Sequence, residues 1–251
     1  MALKIEDVQK NKEEAIDKIN TYLNNCILSD SAHIKKANLI SFWLKNYTDY
    51  MKQEKDFNSC LLKQYSYGDV IKANLGFNIG NEEGGLHYCV VIDKKNAKAH
   101  STLTVVPLTS QKPNKPINSN TVPLGAELYK SILKKAIDMQ TSLKSLDGNK
   151  LSQIQTNLAD FFVRKNYDKP VSEEDFNYFI STAEKVQKLE KIIEEAEQMK
   201  KGTIALVNQI TTISKQRIYN PKKDDDVLAG ISLSDNAMKL INDKLKRFFI
   251  K

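Results

Sequence analysis

The side chains of this 251-residue chain best suited to trading protons or holding a metal are three histidines and three cysteines. An imidazole takes up and returns a proton near pH 6.5, so a well-placed histidine is the natural acid–base group at neutrality. His33 falls in the first turn of a helix and reads as an exposed or capping side chain, and His100 falls in a turn and reads as structural. His87 follows Gly84-Gly85-Leu86 and opens a run dense in β-formers. On residue type alone it reads either as a hydrogen-bonded structural histidine or as a catalytic one, and both stay open. Thr109-Ser110 ahead of Lys112-Pro113 is a common way to leave a strand, and Lys112 and Lys115 read as part of a solvated loop. Cys26, Cys60 and Cys89 form neither an even set nor a CxxC pair, which argues against a disulfide scaffold and a zinc ribbon. Reduced thiols in the cytoplasm are expected, with Cys89 a small buried apolar group.

The elements that must carry these residues change character along the chain. Residues 1–63 read as helical: Ile5, Val8, Ile16, Ile19 and Leu23 recur at three- to four-residue spacing, and Asp30-Ser31 suits the cap of a second helix through Ile34, Ala37, Ile40, Trp43, Tyr47 and Met51. From Tyr65 the pattern becomes short strands and turns: 70–75, a glycine-rich loop over 76–85, then 86–92 and 102–108, with Pro107 marking an edge or a bulge. Helical stripes return between Leu128 and Ala196, ending at Gly202, with Ser172 as a cap ahead of Glu173-Glu174-Asp175. Strands resume over 203–207 and 209–214, and a short helix capped by Ser234 closes the chain. These features predict an α+β fold in which a small antiparallel sheet or barrel, residues 64–124 plus 202–251, follows a helical extension over 1–63. A helical insertion over 125–201 interrupts it. No strand is followed by a glycine fingerprint opening a helix, which disfavours a dinucleotide fold.

Apolar residues make up 41% and charged residues 27%, ordinary for a soluble protein, and no apolar run approaches the length of a membrane span. The first residues lack the apolar core of a signal peptide. The net charge of +7 is unevenly placed. Residues 125–201 hold thirteen basic and thirteen acidic side chains, while 64–124 together with 202–220 carry an excess of four basic ones. A basic region of that size can neutralise a few phosphates in a salt-sensitive way.

Four blocks in a fixed order sharpen this picture: Gly68-Asp69 before a strand; Gly84-Gly85-Leu86-His87-Tyr88-Cys89-Val90-Val91-Ile92; Val106-Pro107-Leu108-Thr109-Ser110-Gln111-Lys112; and Leu206-Val207-Asn208-Gln209-Ile210-Thr211-Thr212-Ile213-Ser214-Lys215-Gln216-Arg217-Ile218. Together they resemble the MazF/PemK toxin family over about half of the chain. The resemblance implies a small SH3-like barrel, usually a homodimer, that cuts single-stranded RNA without a metal or other cofactor. In that reaction the ribose 2′-hydroxyl attacks the adjacent phosphorus, leaving a 2′,3′-cyclic phosphate and a 5′-hydroxyl. It further implies an antitoxin partner, protein or RNA.

Carried onto this sequence, the resemblance makes His87 the general base or acid, where compact members commonly have an arginine. Thr109, Ser110 and Lys112 become the groups that hold the scissile phosphate. The Thr-Ser-x-Lys run is also similar to ToxN, which processes an RNA antitoxin. Glu82, Gly84, Gly85, Gln111, Lys115 and Gln209 would border the RNA groove. Two alternatives remain: a non-catalytic CcdB-like barrel that binds a protein such as DNA gyrase, and a partner-binding module in which the helices act and the barrel is silent.

Overall fold

The computed structural model describes residues 4–112, 116–162, 172–199 and 202–250. Contacts within it divide the chain into two units, residues 1–57 with 74–86 and residues 58–73 with 87–251.

The first unit is built on two long helices, α1 (Ile5–Ile27) and α2 (Ser31–Gln53). Asp30 caps α2 by accepting from the backbone N–H groups of Ala32 and His33, and the His33 ring adds a 2.9 Å contact to the same carboxylate. His33 is therefore part of a cap. Cys26, Ala37 and Ile40 are buried where the helices meet, while Ile16, Leu39, Phe42 and Met51 stay exposed. The glycine-rich loop belongs to this unit and is closed at its neck. Leu75 N–H donates to Gly85 O at 2.7 Å, Gly85 N–H donates to Gly76 O, and the Asn78 amide donates to Glu83 O at 2.7 Å. Only glycine fits at position 84, because an added Cβ would stand 2.7 Å from the Gly76 carbonyl oxygen.

The second unit holds the sheet. Among the described residues its strands are β1 (Val70–Asn74), β2 (Leu86–Val91), β3 (Thr102–Ser110), β4 (Val122–Gly125), β5 (Thr203–Ala205), β6 (Thr211–Ser214) and β7 (Ile218–Asn220). The pairings described are antiparallel. They run β4-β5-β3-β2-β1-β7, with β6 also on β3. β4 and β7, which the sequence did not mark as strands, end the path, and among the described residues no pairing joins them. The sheet is therefore open where a closed barrel was expected. β3 is its spine: Thr102–Val105 pair with β6 and Leu108–Ser110 pair with β5. Pro107 sits between the two, its carbonyl accepting from Leu206 N–H at 2.9 Å. Its missing N–H thus faces the gap between β5 and β6, where the ladder needs no donor.

Three helices cover one face of this sheet: α3 (Glu127–Lys144), α5 (Glu173–Gln198) and α6 (Asp235–Phe249). α4 (Gly148–Phe162) lies between α3 and α5 in the chain. Val70, Val90, Val106 and Leu108 from the strands meet Leu128 and Ile132 of α3, Ile192 of α5 and Ile241 of α6 in one buried cluster. Each such side chain contributes about 1.5–3 kcal/mol on burial. The alternate strand positions Ile71, Cys89, Val91, Leu103 and Val105 are buried as well, so the centre of the sheet is covered on both faces. Ser172 and Ser234 cap α5 and α6 by accepting from Asp175 N–H and Ala237 N–H. None of the described helices is long and apolar enough to cross a membrane.

Candidate functional site

β2 and β3 place the residues with chemical potential. Tyr88 pairs with Leu108, Cys89 with Pro107 and Val90 with Val106. Continuing that register by one residue sets His87 against Thr109, and side chains opposed across an antiparallel pair share a face. Both are half-buried. They stand where their face gives way from the buried Cys89, Val91 and Val105 to the exposed Gln111. His87 Nδ1 lies 3.3 Å from Leu108 O. A carbonyl oxygen only accepts, so Nδ1 carries the proton in that contact, and in a neutral ring the basic lone pair is then on Nε2. An imidazole in that tautomer can take a proton from a hydroxyl.

Ser110 is placed differently. Successive strand residues point to opposite faces, so Ser110 shares the face of Leu108 rather than that of Thr109, and pairs with Thr203. By the pleat of β3, only one of the two hydroxyls, that of Thr109, lies on the His87 face. Gln111 follows, its N–H donating to Gly202 O at 3.0 Å, and Lys112 is exposed beyond it. Gln209 ends the short turn between β5 and β6, half-buried. Lys115 lies outside the described residues. Glu82, Gly84 and Gly85 belong to the other unit, on its closed loop.

Two clusters not legible in the sequence stand on the helix-covered face. Glu195 of α5 accepts from Lys72 Nζ at 2.6 Å and from the Tyr88 hydroxyl, while the Lys72 ammonium lies 5.1 Å from the centre of the Tyr88 ring. Burial first, and the Glu195 carboxylate second, push the Tyr88 phenol well above its ordinary value. Lys135 of α3 donates to the carbonyls of Asp226, Val227 and Ala229 at 3.0, 2.7 and 2.6 Å. Burial, assisted by Lys188, holds that ammonium down at about 8. A third lysine, Lys215, belongs to the last of the four sequence blocks. It is only 1% exposed and donates to Ala97 O at 3.0 Å. It pins a turn and is not available to a substrate. Among the described residues no three His, Cys, Asp or Glu side chains gather as a metal site requires.

Residues 66–162 match the family described as PemK-like, MazF-like toxin of type II toxin-antitoxin system. This segment is MazF/PemK-like. The match takes in β1 to β4, α3 and α4, and with them His87, Thr109, Ser110 and Lys112. The 206–218 block lies beyond it, as do α1 and α2. No curated protein matches the chain. The MazF/PemK-like segment thus supplies both strands that set His87 against Thr109.

Proposed function

We propose that this chain is the toxin of a toxin–antitoxin pair and an endoribonuclease, cutting single-stranded RNA by attack of the ribose 2′-oxygen on the adjacent phosphorus. His87 Nε2 takes the 2′-hydroxyl proton as the P–O2′ bond forms. The Thr109 hydroxyl donates to a non-bridging oxygen of the phosphorane, and the exposed Lys112, beyond the end of β3, adds positive charge. The P–O5′ bond breaks, and the leaving oxygen takes the proton from the imidazolium. The products are a 2′,3′-cyclic phosphate and a 5′-hydroxyl, with no metal in the balance.

The observation that carries this reading is the register of β2 on β3, with the His87 ring held to Leu108 O in the tautomer a base needs. Arginine at that position, permanently protonated, can only steady charge, whereas histidine can also move a proton. In the same reading the sheet with α6 is an SH3-like toxin core acting as a homodimer in the cytoplasm. Residues 1–63 are then an extension to it and 125–201 an insertion in it, and an antitoxin, protein or RNA, is its partner.

The test is direct. Purified protein, incubated with single-stranded RNA in excess EDTA, should give fragments with 5′-hydroxyl ends that polynucleotide kinase labels without prior phosphatase treatment. Intact RNA in the presence of folded protein refutes the proposal.

A further inference from the structure

The first unit contains a groove of about 380 Å³ between α2 and the closed loop. Phe42, Trp43 and Asn46 line it from the helix, and Phe77, Asn78 and Glu82 from the loop. The α2 wall lies outside the MazF/PemK-like match, so the groove is not a feature of the matched segment alone. We propose that it is a pocket for one unpaired base of a single-stranded nucleic acid. The inference rests on the RNA substrate proposed above and names a place where that substrate's sequence is read.

Three observations select this occupant. Aromatic walls accept the flat face of any base, and Trp43 is itself the first ring of a row on α2, with Tyr47 at 5.5 Å and Tyr50 at 6.3 Å. The polar groups are of two kinds. Asn78 is consumed by the loop, through its bond to Glu83 O, whereas the Asn46 amide and the Glu82 carboxylate engage no partner among the described residues. An amide and a carboxylate are the groups that read base edges, the carboxylate accepting from an exocyclic amino group. Charge is the third. α2 carries four lysines against one aspartate, and Lys45 stands at the rim, its ammonium 4.3 Å from the centre of the Phe42 ring. A basic helix beside stacking rings suits a phosphate backbone with a base turned inward. An acidic peptide would meet that helix equally well but would bring its own carboxylates against Glu82. The volume, near the lower end for small-ligand pockets, fits a base and its sugar.

Trp43 is the only tryptophan in the chain, so its emission reports on this groove alone. The full chain is titrated with 2′-O-methyl octanucleotides of A, C, G and U, which have no free 2′-hydroxyl and cannot be cut, and with an abasic octamer of equal charge. Saturable quenching by the base-bearing octamers and not by the abasic one supports the pocket. Asn46→Ala, an exposed change, should weaken it roughly tenfold. The three bases with an amino group should bind at least threefold tighter than uracil, and Glu82→Gln should erase that difference. Unchanged emission with every octamer, or equal change with the abasic one, overturns the inference. So does a change produced only by an acidic amphipathic peptide of about twenty residues, which would make the groove a protein-docking surface. RNA cleavage is assayed separately. Cleavage without quenching removes the pocket and leaves the nuclease, and quenching without cleavage does the reverse.

Discussion

The imidazole of His87 is fastened to the strand beside it: its Nδ1 lies 3.3 Å from the carbonyl oxygen of Leu108, one residue before Thr109. In that contact Nδ1 is the donor, since a carbonyl oxygen only accepts. His87→Ala should lower the cleavage rate by about 10²–10⁴-fold, the usual worth of a positioned acid–base group, with little change in stability. His87→Arg is the more informative variant. It keeps a positive charge on the phosphate but cannot take a proton at neutral pH, so any activity it retains should lose the acidic limb of the wild-type pH–rate profile. A wild-type rate in both variants would remove His87 from the chemistry.

Thr109 and Ser110 are neighbours in sequence but face opposite sides of β3, which separates their predicted effects. Thr109→Ala should cost about 10²–10³-fold in turnover, as loss of one donor to a charged intermediate does. Ser110→Ala should stay within about threefold of wild type. Single-turnover cleavage of one RNA substrate compares the two directly, and equal losses would contradict the strand geometry.

Alkaline unfolding should depend on two phenols. The Tyr65 hydroxyl donates to Pro221 O at 2.7 Å, and burial raises its pKa, as burial and Glu195 raise that of Tyr88. A folded-state value above the unfolded one means stability that is complete below pH 10 and is lost as pH rises past it. Lys135 works in the opposite sense. Held down at about 8 in the fold, it binds fewer protons than the unfolded chain between about 8 and 10.5, so stability rises with pH in that window. Urea midpoints across pH 7–11 should therefore hold or rise to about pH 10 and then fall. Tyr88→Phe should flatten the fall, and Lys135→Met the rise.

Much of this architecture was written in local signals. Asp30, Ser172 and Ser234 each cap the helix their sequence marks. Pro107 reads as an edge or a bulge, but β3 is paired on both sides with an unbroken register on β2, and the proline fits because its missing N–H falls between β5 and β6. β4 and β7 escaped notice because four and three residues show too little alternation to be told from loop, and their strand character comes from β5 and β1 alongside them. The pairing of Lys72 with Glu195 was beyond reach for a different reason: 123 residues separate them, and each reads by itself as a solvated charge. Lys215 illustrates the same limit, since nothing in its sequence block marks it as buried, and the fold leaves it 1% exposed. Trp43 looked like one more position on an apolar stripe, because the loop that faces it comes from elsewhere in the chain.

The Lys72–Glu195 pair makes the strongest claim about what holds the helical segment to the sheet. Each side chain is 17% exposed, and Glu195 serves both the ammonium and the Tyr88 hydroxyl. Glu195→Met removes the carboxylate that accepts from both and leaves a largely desolvated charge beside an unpaired phenol. That should cost about 3 kcal/mol, near the lower bound for breaking a buried pair. Replacing both charges, Lys72→Met with Glu195→Met, should recover more than half of that loss, because no unpaired charge remains and the methionines fill the same space. Urea denaturation of the two single variants and the double variant closes the cycle. A double variant as unstable as the sum of the singles would mean that the two residues act independently, and the contact would then be one of proximity without coupling.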